Sequence, residues 1–291
     1  MTGAPARVGA PDGPHVDLHA HSTASDGSKS PTAVVAAAKA ARLSAIALTD
    51  HDTMDGVAEA VGAADMHGIR VVPGVELSAT DDQREVHLLG LHIQRPSTIE
   101  ESLREFRNRR RARAVQIVAK LNALGVPITF EDVLALAGDA AIGRPHLARV
   151  LIDGGWARDS RDAFDRYLGA GRPAYVAKHR LSVADAIALV HAGGGLAVLA
   201  HPGSEGRRET IERFVAVGLD GVEVRHPGHT GEDTNRLAAL VDFFGLVASG
   251  GSDWHGAADG PRVLGVMRVP LAWLQQQDAR VEARRSAGTL A

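Results

Sequence analysis

The sequence predicts an α/β fold built from parallel βα units. Short apolar, β-branched runs alternate with helical patterns from residue 15 to about 93, and again from about residue 183 onward. About seven strands are visible, which is enough for a barrel if the sheet closes. The residues suited to metal chemistry mostly stand just past these strands, where a barrel-like α/β fold places its active site.

The first part of the chain gives four predicted strands and two helices. The strands are residues 15–18, 45–49, 69–75 and 86–93. Ser30 is the predicted N-cap of the first helix, with Pro31 in the first helical position, and this helix continues through Ala41. A second helix covers residues 54–67 and ends at Gly68, because glycine readily adopts the positive φ of a helix end.

From Ser97 to about residue 192 the pattern is mostly helical. Ser97 and Glu100 form a capping-box signature, and apolar residues then recur at helical spacing. Further helices are predicted at residues 130–137, 143–153 and 160–168. We interpret residues 105–180 as a helical insertion that could cap the site. The barrel is then expected to consist of residues 15–104 and 181–291.

The alternation of helices and strands resumes after the insertion. Helices are predicted at residues 183–191, 208–217 and 232–243, and the strands that follow them at 196–200, 221–224 and 246–249. At the other end of the chain, residues 1–14 are rich in small residues, Gly and Pro, and we expect them to form a disordered lead-in.

Composition excludes several classes of function. The net charge of −3 and the aromatic content of 4% argue against a stable nucleic-acid partner or binding to an anionic membrane. The absence of cysteine excludes disulfides, Cys-ligated zinc and iron–sulfur clusters. The N-terminus has no apolar signal region, and no run approaches the ~18 apolar residues of a membrane span. We therefore expect a cytoplasmic protein.

The first and the last predicted strands of the barrel are each followed by a closely spaced pair of metal-binding side chains. His19 and His21 follow the first strand, and their side chains point the same way along an extended segment, so that they can bind one ion. The alternative is a pair of surface histidines. Asp26 stands close behind them and could ligate a neighbouring ion or simply form an Asp-Gly turn. Asp253 and His255 repeat the two-residue spacing after the last strand.

Four more candidate ligands lie between these pairs. His51 and His201 each follow a buried strand. Glu76 follows Pro73-Gly74-Val75 and is either a bridging carboxylate or a solvated loop residue. His87 stands among apolar neighbours, where a lone histidine is often a core residue. Together with the two pairs and Asp26, these residues are too many for one ion, so the pattern indicates a multinuclear site.

Other residues are candidates for catalysis and substrate binding. Asp50 is placed with the catalytic residues, as a group that either orients an imidazole or holds its loop. Arg144 and His146 open a predicted helix, whose N-terminus favours anions, and Arg144 can bind phosphate oxygens with two parallel hydrogen bonds. Arg172 is a second phosphate candidate, and His226 could touch the substrate. The arginines of residues 104–113 form either a basic patch or an exposed helix face.

These motifs together resemble the polymerase-and-histidinol-phosphatase (PHP) domain. The matching segments are Asp17-Leu18-His19-x-His21 with Asp26, Thr49-Asp50-His51-Asp52, Pro73-Gly74-Val75-Glu76, Glu85-Val86-His87, Ala200-His201-Pro202 and Ser252-Asp253-x-His255. The resemblance covers nearly the whole chain. It implies a distorted (β/α)7 barrel with a helical insertion or cap domain.

The resemblance also implies three divalent metal ions, with manganese preferred and iron or zinc as alternatives. The three implied ligand sets are His19, His21, Glu76 and Asp253; Glu76, His87 and His201; and Asp26, His51 and His255. The implied activity is hydrolysis of a phosphate ester in a nucleoside 3′,5′-bisphosphate or at the 5′ end of a short RNA. The alternatives are a phosphatase for another small phosphomonoester, such as histidinol phosphate, and a non-catalytic module stabilised by metal.

Overall fold

A single curved sheet forms the centre of the computed structural model, which describes residues 13–82, 84–137, 142–177 and 181–287. Most of the predicted lead-in at residues 1–14 lies outside these ranges. The strands of the described residues are β1 His15–Asp17, β2 Ala45–Leu48, β3 Arg70–Asp81, β4 Arg84–Leu91, β5 Leu181–Ser182, β6 Leu196–Leu199, β7 Gly221–Arg225, β8 Val247–Gly250 and β9 Val269–Pro270. They are ordered β8-β7-β6-β4-β3-β2-β1-β9, and β5 lies beside β3.

The two ends of this sheet meet just beyond β1 and β8. The amide of Leu18 donates to the carbonyl of Gly250 at 3.0 Å, and the amide of His21 donates to the carbonyl of Trp254 at 2.8 Å. Between them, the amide of Asp253 donates to the carbonyl of His19 at 2.9 Å. These bonds join the outermost strands of a seven-stranded path from β1 to β8, as expected for the predicted barrel.

Within the seven-stranded path, one strand runs against the predicted parallel pattern, and β9, outside that path, is antiparallel to β1. β4 is antiparallel to β3 on one side and to β6 on the other, whereas β1, β2 and β3, and likewise β6, β7 and β8, pair in parallel. The connection from Asp81 to Arg84 is far too short for the crossover that parallel neighbours need. The reversal places the beginning of β4, which carries His87, at the barrel edge where the parallel strands end.

Helices pack around the sheet and make up most of the predicted insertion. They are α1 Pro31–Ala40, α2 Val57–His67, α3 Pro96–Ala123, α4 Phe130–Ala137, α5 Arg144–Asp153, α6 Ser160–Ala163, α7 Val183–Ala192, α8 Arg208–Ala216, α9 Gly231–Phe244 and α10 Leu271–Ser286, with a π-helical turn at Phe164–Leu168. α1 begins as predicted, since the Ser30 hydroxyl accepts a hydrogen bond from Ala33. The sequence analysis did not predict α10.

α3 connects two separate apolar cores. Near its beginning, Ile99 and Leu103 pack with the barrel, whereas Ile117 and Leu121 pack with α4 and α5. The predicted boundary at residues 104–105 therefore falls inside one continuous helix, and the division into barrel and insertion stays a prediction. Within the described residues, no helix is both long and apolar enough to cross a lipid bilayer.

Candidate metal centre

All nine predicted metal-binding residues lie together at one edge of the barrel. They are His19, His21, Asp26, His51, Glu76, His87, His201, Asp253 and His255. Most of them follow the C-terminal end of a parallel strand. Glu76 lies within the long strand β3, and His87 reaches the same edge from the beginning of the reversed strand β4. The barrel thus gathers residues from 19 to 255 into one cluster.

Glu76 stands at the centre of this cluster and is almost fully buried. Its Oε2 atom lies 3.1–3.3 Å from ring nitrogens of three histidines, and its Oε1 atom lies 2.8 and 2.9 Å from those of two others. The histidines at Oε2 are His19, His21 and His51, and those at Oε1 are His87 and His201. A carboxylate that has candidate histidine ligands near each of its two oxygens is suited to bridge two adjacent ions.

The candidate ligand atoms converge in three overlapping groups, each with all its atoms within 4.8 Å of one another. The groups are His19, His21, Glu76 and Asp253; His21, Asp26, His51 and His255; and His51, Glu76 and His87. The first has the same members as one implied ligand set. The second contains another implied set and adds His21. In the third, His51 takes the place of His201.

Buried histidine nitrogens provide a test of whether these residues suit a metal. Both ring nitrogens of His21 and the Nδ1 atom of His87 are buried and have no hydrogen-bond partner among the residues that the structure describes. They lie close to carboxylate oxygens but not in hydrogen-bonding geometry. Leaving such an atom buried and unsatisfied costs free energy, whereas coordination to a divalent cation would satisfy it. The donor set is therefore capable of binding metal ions.

The carboxylates and imidazoles of the cluster shift one another's pKa values. Burial alone would lower the pKa of His21, but the carboxylates of Asp253 and Glu76 outweigh it and raise that pKa to about 9. Burial would raise the pKa of Glu76, yet nearby His19 and His51 hold it well below its usual range. A coordinating imidazole must be neutral, so ion binding has to displace protons, and affinity falls as the pH falls.

Glu223 forms hydrogen bonds with two of the candidate metal ligands, although the sequence analysis gave it no role. Its side chain is fully buried. The Nδ1–H of His19 donates to its Oε1 at 3.1 Å, and the backbone amide of His201 donates to its Oε2 at 2.7 Å. The first bond orients the His19 ring so that its Nε2 faces Glu76, and the second holds the backbone that carries His201. The sequence signal that could have revealed Glu223 was its position as a carboxylate inside the apolar run 221–224, because buried carboxylates are usually paired.

Substituting Glu223 with Gln should weaken metal binding by about 10–100-fold. Both partners of Glu223 are donors, so the NH2 group of a glutamine would face one donor without an acceptor between them. We would measure affinity by competition with a chelating dye, using Glu212→Gln, at an exposed position of α8, as the matched control. Equal affinity in the Glu223→Gln variant and the control would show that Glu223 does not position the ligands.

Asp50 forms hydrogen bonds with the loop that contains Ser22 and Ser25 and not with a histidine ring of the described residues. Its carboxylate accepts hydrogen bonds from the amide of Ser22 at 2.7 Å, from the hydroxyl of Ser22 at 2.7 Å and from the hydroxyl of Ser25 at 2.6 Å. Of the two roles that the sequence allowed for Asp50, these contacts favour holding the loop. The held segment leads directly to Asp26, so Asp50 acts by placing that carboxylate.

Three non-glycine residues at the site have left-handed backbone conformations. The φ angles are 50° for Asp52, 29° for His201 and 52° for Asp253. Such angles are uncommon for residues with a Cβ and persist where the surrounding structure enforces them. At each position the chain turns sharply after a strand, and for His201 and Asp253 this turn brings the side chain to the cluster.

A cleft of about 390 Å³ opens beside the cluster. Asp26, His51 and His87 line it on the cluster side. The other lining residues come largely from the insertion and α3, and among them are Arg110, Arg113, Arg144 and His146. The predicted phosphate-binding pair, Arg144 and His146, therefore shares one cleft with the candidate metal ligands.

Contacts within the insertion hold Arg144 in place. Its Nη1 donates to the carbonyl of Leu168 at 3.2 Å, and its guanidinium lies 5.3 Å from the centre of the Phe164 ring and 5.9 Å from that of Tyr175. Two residues further on, burial lowers the pKa of His146, although Asp26 acts in the opposite direction. The Nδ1 of His146 accepts a hydrogen bond from the amide of Gly143. The cleft thus presents a fixed cation together with a histidine whose pKa is lowered by burial.

The structure does not bring every predicted substrate contact into this cleft. Arg172 is exposed and lies outside the set of described residues that line it. His226 is buried behind the cluster, with its Nε2 3.4 Å from Asp253 Oδ2 and its Nδ1 accepting a hydrogen bond from Gly228. His226 therefore contacts a candidate metal ligand rather than the open cleft.

Two arginines of the basic run 104–113 face the cleft instead of solvent. Arg110 forms an ion pair with Asp52 and donates to the hydroxyl of Ser78 at 3.1 Å. Arg113, one turn further along α3, donates to the carbonyl of Val176 at 2.9 Å. Their spacing of three residues was the available signal, because it places them on one side of a helix. Arg110 connects α3 to the loop that carries His51.

Comparisons with known proteins agree with this arrangement. The sequence profile of the PHP domain matches residues 17–174. A 3′,5′-nucleoside bisphosphate phosphatase of Chromobacterium violaceum is 39% identical over 258 residues, covering 86% of this chain and 90% of that protein. A 5′-3′ exoribonuclease of Haemophilus influenzae is 39% identical over 245 residues, covering 82% of this chain and 89% of that protein.

A solved structure shows the same fold. It is that of a Bifidobacterium adolescentis protein whose activity as a metal-dependent phosphoesterase is itself inferred. It superposes with a TM-score of 0.78 and 32% sequence identity, over 93% of this chain and 97% of that one. The likeness therefore extends over nearly the whole chain.

Proposed function

The chain belongs to the PHP domain family, and on that premise we propose that it is a metal-dependent phosphoesterase that hydrolyses phosphate esters of nucleotides. The substrate is a nucleoside 3′,5′-bisphosphate or the 5′ end of a short RNA, as the names of the two relatives suggest. The observation that carries the proposal is the shared cleft, in which Arg144 faces a cluster of histidines and carboxylates.

Three divalent ions, with manganese preferred and iron or zinc as alternatives, are proposed for the cluster. The first would be held by His19, His21, Glu76 and Asp253, the second by Glu76, His87 and His201, and the third by Asp26, His51 and His255. Bound ions would supply Lewis acidity and activate water as a nucleophile near neutral pH. The unpartnered nitrogens of His21 and His87 support this assignment.

The remaining residues bind and orient the substrate. The guanidinium of Arg144 can neutralise phosphoryl oxygens with two parallel hydrogen bonds, and its bond to Leu168 limits the reorientation required during reaction. Burial lowers the pKa of His146, and because its Nδ1 accepts a hydrogen bond from Gly143, its Nε2–H can donate one hydrogen bond to the substrate. Glu223 and His226 keep the rings and carboxylates of the cluster in place.

A panel of substrates tests the proposed activity. Phosphate release would be measured with manganese present from adenosine 3′,5′-bisphosphate, from short 5′-phosphorylated RNA and from histidinol phosphate. We expect release from one or both of the nucleotide substrates, and their relative rates would rank mononucleotide against RNA. Release from histidinol phosphate alone would overturn the nucleotide assignment in favour of another small phosphomonoester. The absence of release from all three would favour a non-catalytic metal-stabilised module.

A further inference from the structure

A second cavity, of about 410 Å³, adjoins the candidate metal centre at His87 and His201. It shares Glu85 and His87 with the arginine-lined cleft, so the two spaces meet at the beginning of β4. We propose that this cavity, here called the side pocket, receives the base of the nucleotide substrate. The inference rests on the proposed function and makes it more specific, because it names the part of the substrate that the enzyme selects.

The walls of the side pocket suit a flat apolar group with a polar edge. Its main lining residues are Val86, Leu199, Pro202 and Phe214, with Thr210 and Glu205 as polar members. Phe214 and Thr210 come from α8, and the other lining residues come from the beginning of β4, the end of β6 and the loop that follows it. The aliphatic side chains, with the almost fully buried ring of Phe214 behind them, form an apolar surface for the face of a base, and a hydroxyl and a carboxylate can bind its edge.

The cleft and the side pocket differ in the charge of their lining residues, and this difference indicates which part of the substrate binds in each. Arg110, Arg113 and Arg144 all line the cleft, whereas the arginines are missing from the set of described residues that line the side pocket. Glu205, at the side pocket, already pairs with Arg84 at 2.6 Å. An anionic phosphate is therefore favoured in the cleft, and a neutral ring is favoured in the side pocket.

The position of the cluster between these two spaces matches the shape of a nucleotide. A nucleoside bisphosphate carries its phosphates and its base on different carbons of one ribose. With one phosphate at the cluster near His87 and His201, a second phosphate can face Arg144 while the base turns toward Phe214. A sugar phosphate without a base would leave the side pocket unused, so we expect the enzyme to discriminate against such substrates.

Filling the side pocket tests this inference. Thr210 is partly exposed on α8 and lines the pocket, so Thr210→Phe places a ring where the base would bind. The measured quantity is the ratio of kcat/KM for adenosine 3′,5′-bisphosphate to kcat/KM for its abasic analogue. We expect this ratio to be about tenfold or more in the wild-type enzyme and to fall about tenfold in the variant.

The matched control is Glu212→Phe, which adds the same ring at an exposed position on the opposite side of α8. This variant should keep the wild-type ratio. A wild-type ratio near one, an unchanged ratio in Thr210→Phe, or an equal loss for both substrates would overturn the side-pocket inference alone. If the wild-type enzyme releases phosphate in the presence of manganese neither from these two substrates nor from short 5′-phosphorylated RNA, the proposed function fails as well.

Discussion

Replacing Glu76 with Gln should lower kcat/KM by at least about 10³-fold while leaving the protein folded. Both oxygens of this buried carboxylate face histidine nitrogens, so the amide would remove the central negative charge and direct NH2 hydrogens at one group of ligands. The size of the side chain stays almost the same. The expected loss therefore comes from the ions and not from packing.

Phosphate release and metal content should be measured on the same preparation of the Glu76→Gln variant. We expect bound metal to fall together with activity, and the circular dichroism spectrum to stay like that of the wild type. Glu209→Gln, at an exposed position of α8, makes the same chemical change away from the cluster and should keep both properties. Full activity in the Glu76→Gln variant would remove this carboxylate from the metal centre.

Removing the guanidinium of Arg144 should lower kcat/KM by about 10²-fold, with effects on both kcat and KM. The residue lies in the cleft beside the cluster and is fixed by its bond to Leu168, so its charge is already in position for the phosphoryl oxygens. Arg144→Lys keeps the charge but loses the two parallel donors, and we expect it to recover only part of the activity.

Arg172→Ala provides the matched control for Arg144→Ala. Arg172 is also an arginine of the insertion, but it is exposed and lies outside the set of described residues that line the cleft. Its variant should have wild-type kinetics. If the two alanine variants behave alike, the phosphate is not held by Arg144, and the orientation proposed for the substrate would have to be reversed or abandoned.

The sequence was most informative where local pattern and chemistry coincide. The spacing of His19 and His21 after a strand is visible in five residues, and the caps at Ser30 and Gly68 mark helix ends through local backbone chemistry. The grouping of the candidate ligands followed mostly from their position after predicted strands, whereas His87 lies inside a predicted strand and was included because it completed the set. These features can be predicted without knowing which distant segments of the chain are in contact.

The sequence was least informative where the role of a residue depends on a distant partner. Glu223 is 204 positions from His19, so nothing near either residue reveals their hydrogen bond. Arg110 stands in the same arginine-rich stretch as the exposed arginines of residues 104–113. Only the orientation of α3 relative to the barrel shows that Arg110 faces the cleft. The reversal of β4 depends on a short turn at Asp82, which the periodicity of the strands does not record.

The dependence of turnover on metal tests the central claim most directly. Phosphate release from adenosine 3′,5′-bisphosphate would be followed while protein stripped of metal by a chelator is titrated with manganese. We predict that the stripped protein is inactive and that activity returns as the ions bind, with a midpoint that moves to higher manganese concentration as the pH falls. Turnover that continues unchanged after complete chelation would contradict the account.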